Sequence, residues 1–280
     1  MEIVLSHYQT RPLTRAYEAG QTEATTSLDL GLTTTTVRLD AQGVHLPDGT
    51  RLTWEQIAFI NENPNNVFRI EDGEAVKIQT FSSLTNRQYS LMPTKRAPTM
   101  LVSGIPMHRI KGTDPVADTR AKIRAVAPVK GRVLDTATGL GYTAIEAART
   151  AEQVITIELD PAALEMARAN PWSQALFTAP NIEQRIGDAF DVVETLETET
   201  FHRIIHDPPA FSLAGHLYST DFYRELYRVL RPGGRLFHYI GDPNSKSGRN
   251  ITRGVLQRLE QAGFRRIARR PNAFGVVAWK

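Results

Sequence analysis

From about residue 115 onward, short apolar runs alternate with longer stretches whose apolar residues recur at helical spacing. RVLDTA precedes YTAIEAART, QVITIEL precedes PAALEMARAN, FHRIIHD precedes STDFYRELYRVL, and RLFHYIG precedes ITRGVLQRLEQAG, while IEQRIGD stands alone. Such alternation predicts a parallel sheet with helices on both faces. The last two runs, FRRIARR and FGVVAWK, are separated only by PNAF, so we expect an antiparallel hairpin at one edge of that sheet.

The first 110 or so residues have a different pattern, in which threonine and β-branched residues alternate. Asp-Gly dipeptides at 48–49 and 72–73 separate pairs of such runs, and each dipeptide predicts a hairpin turn. Between the two hairpins, TWEQIAFI fits either a short helix or a strand. We expect the first 20 or so residues to form a loosely held arm.

The two patterns meet at the segment Ser103–Pro115, which we interpret as a linker. Asp114 is placed to cap a helix whose first residue is Pro115. We therefore predict a β-rich accessory domain with its linker over residues 1–112 and an α/β domain over residues 113–280.

The composition is that of an ordinary globular protein. Hydrophobic residues make up 41% and charged residues 22% of the 280 positions, which excludes intrinsic disorder for most of the chain. No run approaches the roughly 18 uncharged apolar residues of a membrane-spanning helix, and the first residues carry no signal-peptide pattern. We therefore predict a cytoplasmic protein with no membrane partner. Cysteine is absent, which excludes disulfides, thiolate zinc sites and a cysteine nucleophile.

The segment VLDTATGLGYTAI, residues 133–145, carries the strongest chemical signal. An apolar run ends in Asp135, a turn containing Gly139 and Gly141 follows, and a helix begins. Glycine lets a backbone approach a ligand closely, and a helix N-terminus favours polar or anionic groups. The next apolar run ends in Glu158, 23 residues after Asp135, where dinucleotide-binding folds place an acid for ribose hydroxyls.

Two further acids follow predicted strands in the same way, Asp188 in RIGDAFD and Asp207 in IIHDPPAFS. The carboxyl ends of parallel strands meet at one edge of a sheet, and ligands of open α/β sheets bind in the crevice there. The four acids therefore predict a ligand site at that edge.

Together these motifs resemble those of class I S-adenosylmethionine-dependent methyltransferases. The resemblance covers about residues 115–280 and implies a seven-stranded Rossmann-like sheet with S-adenosylmethionine as cofactor. The sequence departs from the family at Ala137, where the pattern has glycine, and alanine costs little there if its φ is negative. The whole chain is also similar to a group of predicted archaeal-type methyltransferases with a DPPxF motif, a resemblance that implies a chemistry but no target.

The resemblance also implies which residues hold the cofactor. Asp135 and the backbone from Thr136 to Gly141 would line its methionine end. Glu158 would bind the ribose hydroxyls, and Leu159 would pack beside the adenine. For each acid taken alone, a helix cap or an ordinary exposed loop residue remains an alternative.

Three more residues complete the implied cofactor site. Asp188 would accept a hydrogen bond from the adenine amino group, and Ala189 would supply a backbone donor. Lys111, in the linker, would meet the cofactor carboxylate unless it is an ordinary surface lysine.

The segment Asp207-Pro208-Pro209-Ala210-Phe211 resembles the element that methyltransferases acting on planar nitrogen use to hold their target. In that element the first residue and a proline carbonyl hold the amino group, and the aromatic ring stacks on the plane that carries it. Here the aromatic follows one extra residue, as in a ribosomal RNA group that includes a guanine-N7 enzyme and cysteine-dependent 5-methylcytosine enzymes, and the lack of cysteine excludes the latter chemistry. The alternative is a rigid loop in which the phenylalanine belongs to the core.

The sequence therefore predicts a methyltransferase acting on a planar nitrogen, with an RNA base as the expected target and a protein amide nitrogen or a small molecule as alternatives. A basic C-terminal face and the N-terminal domain would hold the phosphate backbone, unless the basic face is only a solvated helix face followed by a charge-protected edge strand. Between residues 246 and 270 there is one acid, Glu260, against eight basic residues: Lys246, Arg249, Arg253, Arg258, Arg265, Arg266, Arg269 and Arg270.

Two alternatives stay open. The stretch DPPAFSLAGHLYSTDFYRELYRVLRPGG is also similar to polyamine aminopropyltransferases, which use decarboxylated S-adenosylmethionine, but the second acid of that family's loop is absent here. The other alternative is a non-catalytic scaffold that binds RNA. We expect no metal, because His202 and His206, four residues apart in a predicted strand, lack further ligands of the right kind.

Overall fold

The computed structural model describes residues 2–242 and 245–280, and the chain divides into two compact units. The first comprises the chain up to Val116 together with Ala162–Gln174, and the second comprises Ala117–Pro161 and Ala175–Lys280. The domain boundary at residues 112 and 113 stays a prediction. No helix in the described part of the chain is both long and apolar enough to cross a membrane.

Three small antiparallel sheets dominate the first unit. Their strands are β1 (Val4–Leu5), β2 (Glu23–Thr26), β3 (Thr35–Asp40), β4 (Gly43–His45), β5 (Arg51–Thr53), β6 (Phe68–Glu71), β7 (Glu74–Lys77), β8 (Gln79–Ser82), β9 (Arg87–Met92), β10 (Thr99–Val102) and β11 (Ile105–Pro106). The sheet orders are β1-β6-β7, β2-β3-β4-β5 and β11-β10-β9-β8. Both hairpins expected at the Asp-Gly dipeptides are confirmed, since β4 pairs with β5 and β6 pairs with β7.

Two helices pack with these sheets, α1 (His7–Glu18) and α2 (Trp54–Glu62). The expectation of a loosely held arm is wrong, because α1 is anchored at its start. The Gln9 side chain accepts from the Ser6 backbone N–H at 3.0 Å, and Leu13 lies in the core of this unit. The ambiguous TWEQIAFI segment is helical, with the Thr53 side chain capping α2.

The second unit has the strand–helix alternation that the sequence predicts. Its strands are β12 (Arg132–Asp135), β13 (Gln153–Glu158), β14 (Ile182–Ile186), β15 (Phe201–His206), β16 (Leu230–Tyr239), β17 (Arg266–Arg270) and β18 (Gly275–Trp279). The further α-helices in the described part of the chain are α3 (Pro115–Val126), α4 (Tyr142–Ala148), α5 (Pro161–Arg168), α6 (Ala175–Thr178), α7 (Ala189–Glu194), α8 (Thr220–Val229) and α9 (Lys246–Gln261), and most of α5 belongs to the first unit. As expected, α3 begins at Pro115, and the Asp114 carboxylate accepts from the Val116 N–H at 2.9 Å.

The seven strands form one sheet in the order β14-β13-β12-β15-β16-β18-β17. The first five are parallel, and β18 pairs antiparallel with both β16 and β17. The predicted α/β fold class, with a seven-stranded Rossmann-like sheet and a β-rich N-terminal part, is confirmed, and so is the closing hairpin. The hairpin is oriented so that the final strand lies inside and β17 forms the outer edge.

The core of this unit lies between the sheet and the layer that contains α7, α8 and α9. Leu134, Ile155, Ile204 and Leu236 come from four adjacent strands, and all are buried in one cluster. The chain moves from β12 outward to β14 and then crosses back to β15, so the direction of winding reverses between β12 and β15. Right-handed crossovers then put helices on both faces of the sheet.

Candidate cofactor and substrate site

All four acids expected at strand ends lie at the carboxyl edge of the seven-stranded sheet. Asp135 and Glu158 are the last residues of β12 and β13, Asp188 follows β14 by two residues, and Asp207 directly follows β15. These strands are neighbours in the order β14, β13, β12 and β15. The acids therefore surround the point where the winding reverses, which is where open α/β sheets bind ligands.

Asp135 has one satisfied and one orphaned oxygen. Oδ2 accepts hydrogen bonds from the hydroxyls of Thr143 at 2.9 Å and Thr156 at 3.1 Å. Oδ1 is buried and makes no hydrogen bond of good geometry to the described residues, although the Ala137 backbone N–H acts on the carboxyl and opposes the rise of its pKa. Burial raises the pKa of this carboxyl from 3.8 to about 7, against the opposing hydrogen bond from Thr143. A buried acceptor without a donor calls for a ligand donor, which the cationic methionine end of S-adenosylmethionine would supply.

The loop after Asp135 leaves space for such a ligand. Gly139 has φ near 51°, and a Cβ placed there would meet nothing within 4 Å. Gly141 has φ near 76° and is the N-cap of α4, and a Cβ there would come within 2.7 Å of Leu176. Ala137 does not have a positive φ, so alanine in place of the family glycine causes no backbone strain.

Glu158 ties this loop to the second strand. Its Oε2 accepts from the Gly139 N–H at 2.8 Å, and its Oε1 accepts from the Asp160 N–H at 3.0 Å. Burial raises the pKa of the Glu158 carboxyl, and these backbone hydrogen bonds oppose the shift. Each carboxylate oxygen can accept a second hydrogen bond, so the group remains suited to two ribose hydroxyls. The neighbouring Leu159 side chain is 44% exposed, which leaves its apolar surface open to an adenine ring.

Asp188 is the N-cap residue of α7. Its Oδ1 accepts from the Phe190 N–H at 2.8 Å at the start of α7, whose first residue is the buried Ala189. Its Oδ2 lies 2.9 Å from Nε2 of His216. The sequence analysis missed His216, which lies 28 residues away in a short 3-10 turn with no motif to mark it.

The Asp-Pro-Pro-x-Phe segment leaves the sheet directly after β15. Pro208 is buried, whereas Phe211 is 45% exposed and is not a core residue. The Tyr218 hydroxyl donates to the Pro209 carbonyl at 3.0 Å, and the Tyr218 ring meets the Phe211 ring edge-on at 5.3 Å between centroids. Tyr218 therefore fixes both the loop backbone and its aromatic residue, a role that the sequence analysis did not identify.

A buried cation faces Asp207. Nζ of Lys122 lies 2.5 Å from Oδ2 of Asp207 and 2.9 Å from Oδ2 of Asp118, and the lysine side chain is only 2% exposed. Burial works to lower the pKa of Lys122, but the charges of Asp207 and Asp118 outweigh it and raise that pKa above its ordinary value. The lysine therefore stays protonated. The spacing of an acid and a lysine four residues apart in a predicted helix was the only signal for this group.

Two buried histidines lie behind the loop. His206 contacts the Thr136 hydroxyl through Nδ1 at 2.7 Å and the Leu217 carbonyl through Nε2 at 2.9 Å. Burial lowers the pKa of His206 to about 3, so its ring is neutral. The ring of His238 lies 4.3 Å from that of His206, and the Tyr223 hydroxyl is 2.8 Å from its Nε2. Both rings pack in the core directly behind the Asp207–Phe211 loop.

Two other expectations concern Lys111 and metal ions. Lys111 is exposed in the segment before α3 and belongs to the first unit, so its contact with a cofactor stays a prediction. His202 accepts from the Arg132 backbone N–H at 3.1 Å through Nδ1. In the part of the chain that the structure describes, no group of three or more His, Asp or Glu side chains is arranged to hold a metal ion.

Asp135 predicts a measurable pH dependence of stability. Its carboxyl keeps a proton to about pH 7 in the folded protein but loses it near pH 3.8 when unfolded, so its contribution to stability falls as pH rises through that window, by up to about 1.4 kcal/mol per pH unit. Asp135→Asn removes this dependence. Urea unfolding at pH 5, 6, 7 and 8 should therefore show a stability difference between variant and wild type that grows from pH 5 to about pH 7 and then levels off. Parallel pH curves for the two proteins would contradict the buried position of this carboxyl.

Comparison with known proteins finds one matching family and several relatives. Residues 133–234 match the family described as "Methyltransferase domain". The chain is 47% identical over 236 residues to the uncharacterized protein MJ1233 of Methanocaldococcus jannaschii, a match that covers 84% of this chain and 80% of that one. It is 30% identical over 174 residues to polyamine aminopropyltransferase 2 of Streptomyces coelicolor, covering 59% of this chain and 31% of that relative.

The fold is similar to that of a solved spermidine synthase. Spermidine synthase from Thermotoga maritima superposes with a TM-score of 0.58 at 18% identity, covering 74% of this chain and 75% of that one. At that identity the likeness concerns the fold alone.

The seven-stranded sheet and the match of residues 133–234 identify a methyltransferase-type domain in this part of the chain. The chain as a whole belongs to the same family as the uncharacterized protein MJ1233 of Methanocaldococcus jannaschii.

Proposed function

We propose that the protein transfers a methyl group from S-adenosylmethionine to a nitrogen on a planar group, and that this group is an RNA base. The observation that carries the proposal is the Asp207–Phe211 loop. It leaves the sheet beside the loop of Asp135 and offers, within five residues, a carboxylate, two proline carbonyls and an exposed aromatic ring. This set can hold a flat amino-bearing group by its edge and by its face at once.

The chemistry requires orientation more than proton transfer. When bound, S-adenosylmethionine supplies a methyl group on a positively charged sulfur that a nitrogen lone pair can attack in line. Asp207, held ionised against Lys122, accepts a hydrogen bond from the target N–H and turns the nitrogen lone pair toward the methyl group. The N–C bond forms as the S–C bond breaks, the sulfur keeps the electron pair, and the nitrogen then releases its proton to solvent.

Phe211 provides the second contact with the target. Its exposed ring, braced by Tyr218, can stack on the face of a base, and such stacking contributes about 1–3 kcal/mol per base. The ring therefore fixes the plane of the target while Asp207 fixes its edge.

The basic residues near the C-terminus support an RNA partner. Arg249 and Arg253 are exposed on α9, and Arg269 is exposed on the outer strand β17. Others are used within the fold, since Nε of Arg258 donates to the Tyr218 carbonyl at 2.6 Å and Arg266 lies over the Trp279 ring at 4.7 Å. The exposed members leave a positive surface that fits a phosphate backbone.

The test is a transfer assay without a chosen substrate. The purified protein is incubated with methyl-labelled S-adenosylmethionine and separated cell fractions of total RNA, protein and small metabolites. We expect label in the RNA fraction, sensitive to ribonuclease and reduced by 200 mM salt, because phosphate contacts are weakened by salt. Label confined to the protein or metabolite fraction would refute the RNA target.

A second candidate is a polyamine aminopropyltransferase, which the match to the Streptomyces coelicolor enzyme favours. The same assay distinguishes it when repeated with decarboxylated S-adenosylmethionine labelled in its aminopropyl group and with putrescine. Transfer from the decarboxylated form alone would replace the methyltransferase proposal. The end of β15 reads IIHDPP, with one acid at the loop where that family has two, and this difference favours methyl transfer.

A further inference from the structure

We propose that Lys122, clamped by Asp118, is a positioning residue that holds Asp207 ionised and in one orientation for the target nitrogen. This inference deepens the proposed function and rests on it for the identity of the target. The arrangement itself, a lysine buried between two aspartates, is a property of the fold.

Helix α3 places Lys122 on its buried face. Its buried positions include Asp118, Thr119, Lys122 and Val126, which lie three to four residues apart and so share one face. That inward face is therefore polar over most of its length, the reverse of an ordinary amphipathic helix. Apolar residues at the two charged positions would pack this helix without any ions.

The other end of α3 is fixed independently. Nε of Arg203 donates to the Val126 carbonyl at 3.0 Å, and Arg235 donates to the Ala127 carbonyl. Two cations at the last carbonyls of a helix satisfy its unpaired acceptors and complement its dipole. These contacts fix the position of α3 along its axis from its C-terminal end. Lys122 is therefore held in place beside Asp207 at the carboxyl edge of the sheet.

Stability does not explain the buried ions. Desolvation of a buried pair often outweighs its attraction, and apolar replacements of the same size are frequently neutral or stabilising. The Lys122 ammonium also lies 4.5 Å from the centre of the Tyr239 ring, at the end of β16, so its remaining surface faces an aromatic ring. The ammonium is thus enclosed by two carboxylates and a ring, where it orients Asp207 but is shielded from a substrate.

The groups around Asp207 have a consequence for the substrate. Besides Lys122, Asp135 and Tyr218 also face Asp207, because burial and the charge of Asp207 raise the pKa of both groups. An ionised carboxylate only accepts hydrogen bonds. The site therefore selects a nitrogen that carries a hydrogen, such as an exocyclic amino group, over a ring nitrogen that carries none.

The test compares Asp118→Asn with the double variant Asp118→Asn/Lys122→Met. The single variant removes the Asp118 charge and keeps the ion pair between Lys122 and Asp207. The double variant also removes the ammonium, and because residue 118 is then neutral, Asp207 is not left facing a second carboxylate. Arg120→Met removes an exposed cation from the same helix and is the matched control. Circular dichroism and thermal unfolding establish that each variant is folded.

In the transfer assay, we expect the double variant to have a kcat at least about tenfold below that of Asp118→Asn at pH 7, with its KM for S-adenosylmethionine within about twofold. The acid limb of its pH–rate profile should lie at least about one pH unit higher, because an opposite charge at this distance favours the ionised carboxylate by one to three units. Arg120→Met should match wild type. Equal losses at every pH would identify Lys122 as structural and overturn the proposal.

A second readout does not need the substrate. In protein labelled with ¹³C at the aspartate carboxyl, the Asp207 signal is assigned by its loss in Asp207→Asn. Its protonation should occur at least about one pH unit higher in the double variant than in Asp118→Asn. If the two titrations coincide, the positioning role is refuted. If they differ while no cell fraction accepts label, the positioning role stands and the proposed function fails.

Discussion

Asp207→Ala is expected to lower the rate of methyl transfer by on the order of 10²-fold or more, with the affinity for S-adenosylmethionine changed by less than about twofold. The variant loses both the acceptor oxygen and the charge that aim the target nitrogen. Because the nitrogen lone pair of a base amino group is delocalised into its ring, the reaction depends on fixing that nitrogen in line with the methyl group.

Asp207→Asn separates these two contributions. It keeps the shape and one acceptor oxygen but loses the charge that Lys122 now neutralises, so we expect a moderate fall in kcat. In both variants Lys122 retains Asp118 as a partner at 2.9 Å, which keeps the buried ammonium paired. The fold should therefore survive, and circular dichroism would establish that it does.

The measurement is the initial rate of label transfer to the accepting cell fraction under saturating cofactor. Asp221→Ala is the control, since that carboxylate is exposed and pairs with Arg224 on the surface of α8; its rate should equal that of wild type. Wild-type turnover by Asp207→Ala would show that this loop does not hold the target.

The sequence predicted the acids of the site because each is adjacent in the chain to the strand that positions it. Asp135, Glu158 and Asp207 directly end or follow apolar runs, and the alternation of runs with helices implied parallel strands whose carboxyl ends meet. The fold class followed from the same pattern. Local sequence is sufficient to predict a site residue when that residue is adjacent in the chain to the strand that positions it.

The missed residues depend on contacts between distant segments. Lys122 meets Asp207 across 85 residues, and His216 meets Asp188 across 28. Neither pair produces a periodic signal, because its two members lie in different elements and are not related by helix or strand spacing. Only the packing of α3 against the sheet shows that Lys122 points inward.

The N-terminal helix was missed for a different reason. Pro12 lies inside α1, and proline in a helix interior removes a hydrogen bond and strains the turn before it. The signal that outweighed it was present, since Ser6 and Gln9 form a capping box. The burial of Leu13 and the contact of the Thr10 hydroxyl with the Asn61 side chain at 2.7 Å then hold the helix in place.

Glu158→Ala is expected to weaken S-adenosylmethionine binding by about 1–3 kcal/mol, which is a loss of about 5- to 150-fold in affinity. In the variant two ribose hydroxyls lose their acceptor on binding. The Gly139 N–H also loses its partner at 2.8 Å, so the glycine loop that lines the methionine end is no longer tied to β13. Both effects act on the cofactor and neither touches Asp207.

Glu158→Gln is the matched comparison. Its amide keeps one acceptor oxygen, and the NH₂ group that replaces the other oxygen cannot accept from the Gly139 N–H or from a hydroxyl. We therefore expect an intermediate loss of affinity. Calorimetry with purified protein measures both, and Glu183→Ala, which removes a carboxylate of β14 paired with Arg185, should bind as wild type does. If Glu158→Ala bound S-adenosylmethionine with wild-type affinity, this carboxylate would hold the loop and not the cofactor, and the ribose would have to be bound elsewhere along the carboxyl edge.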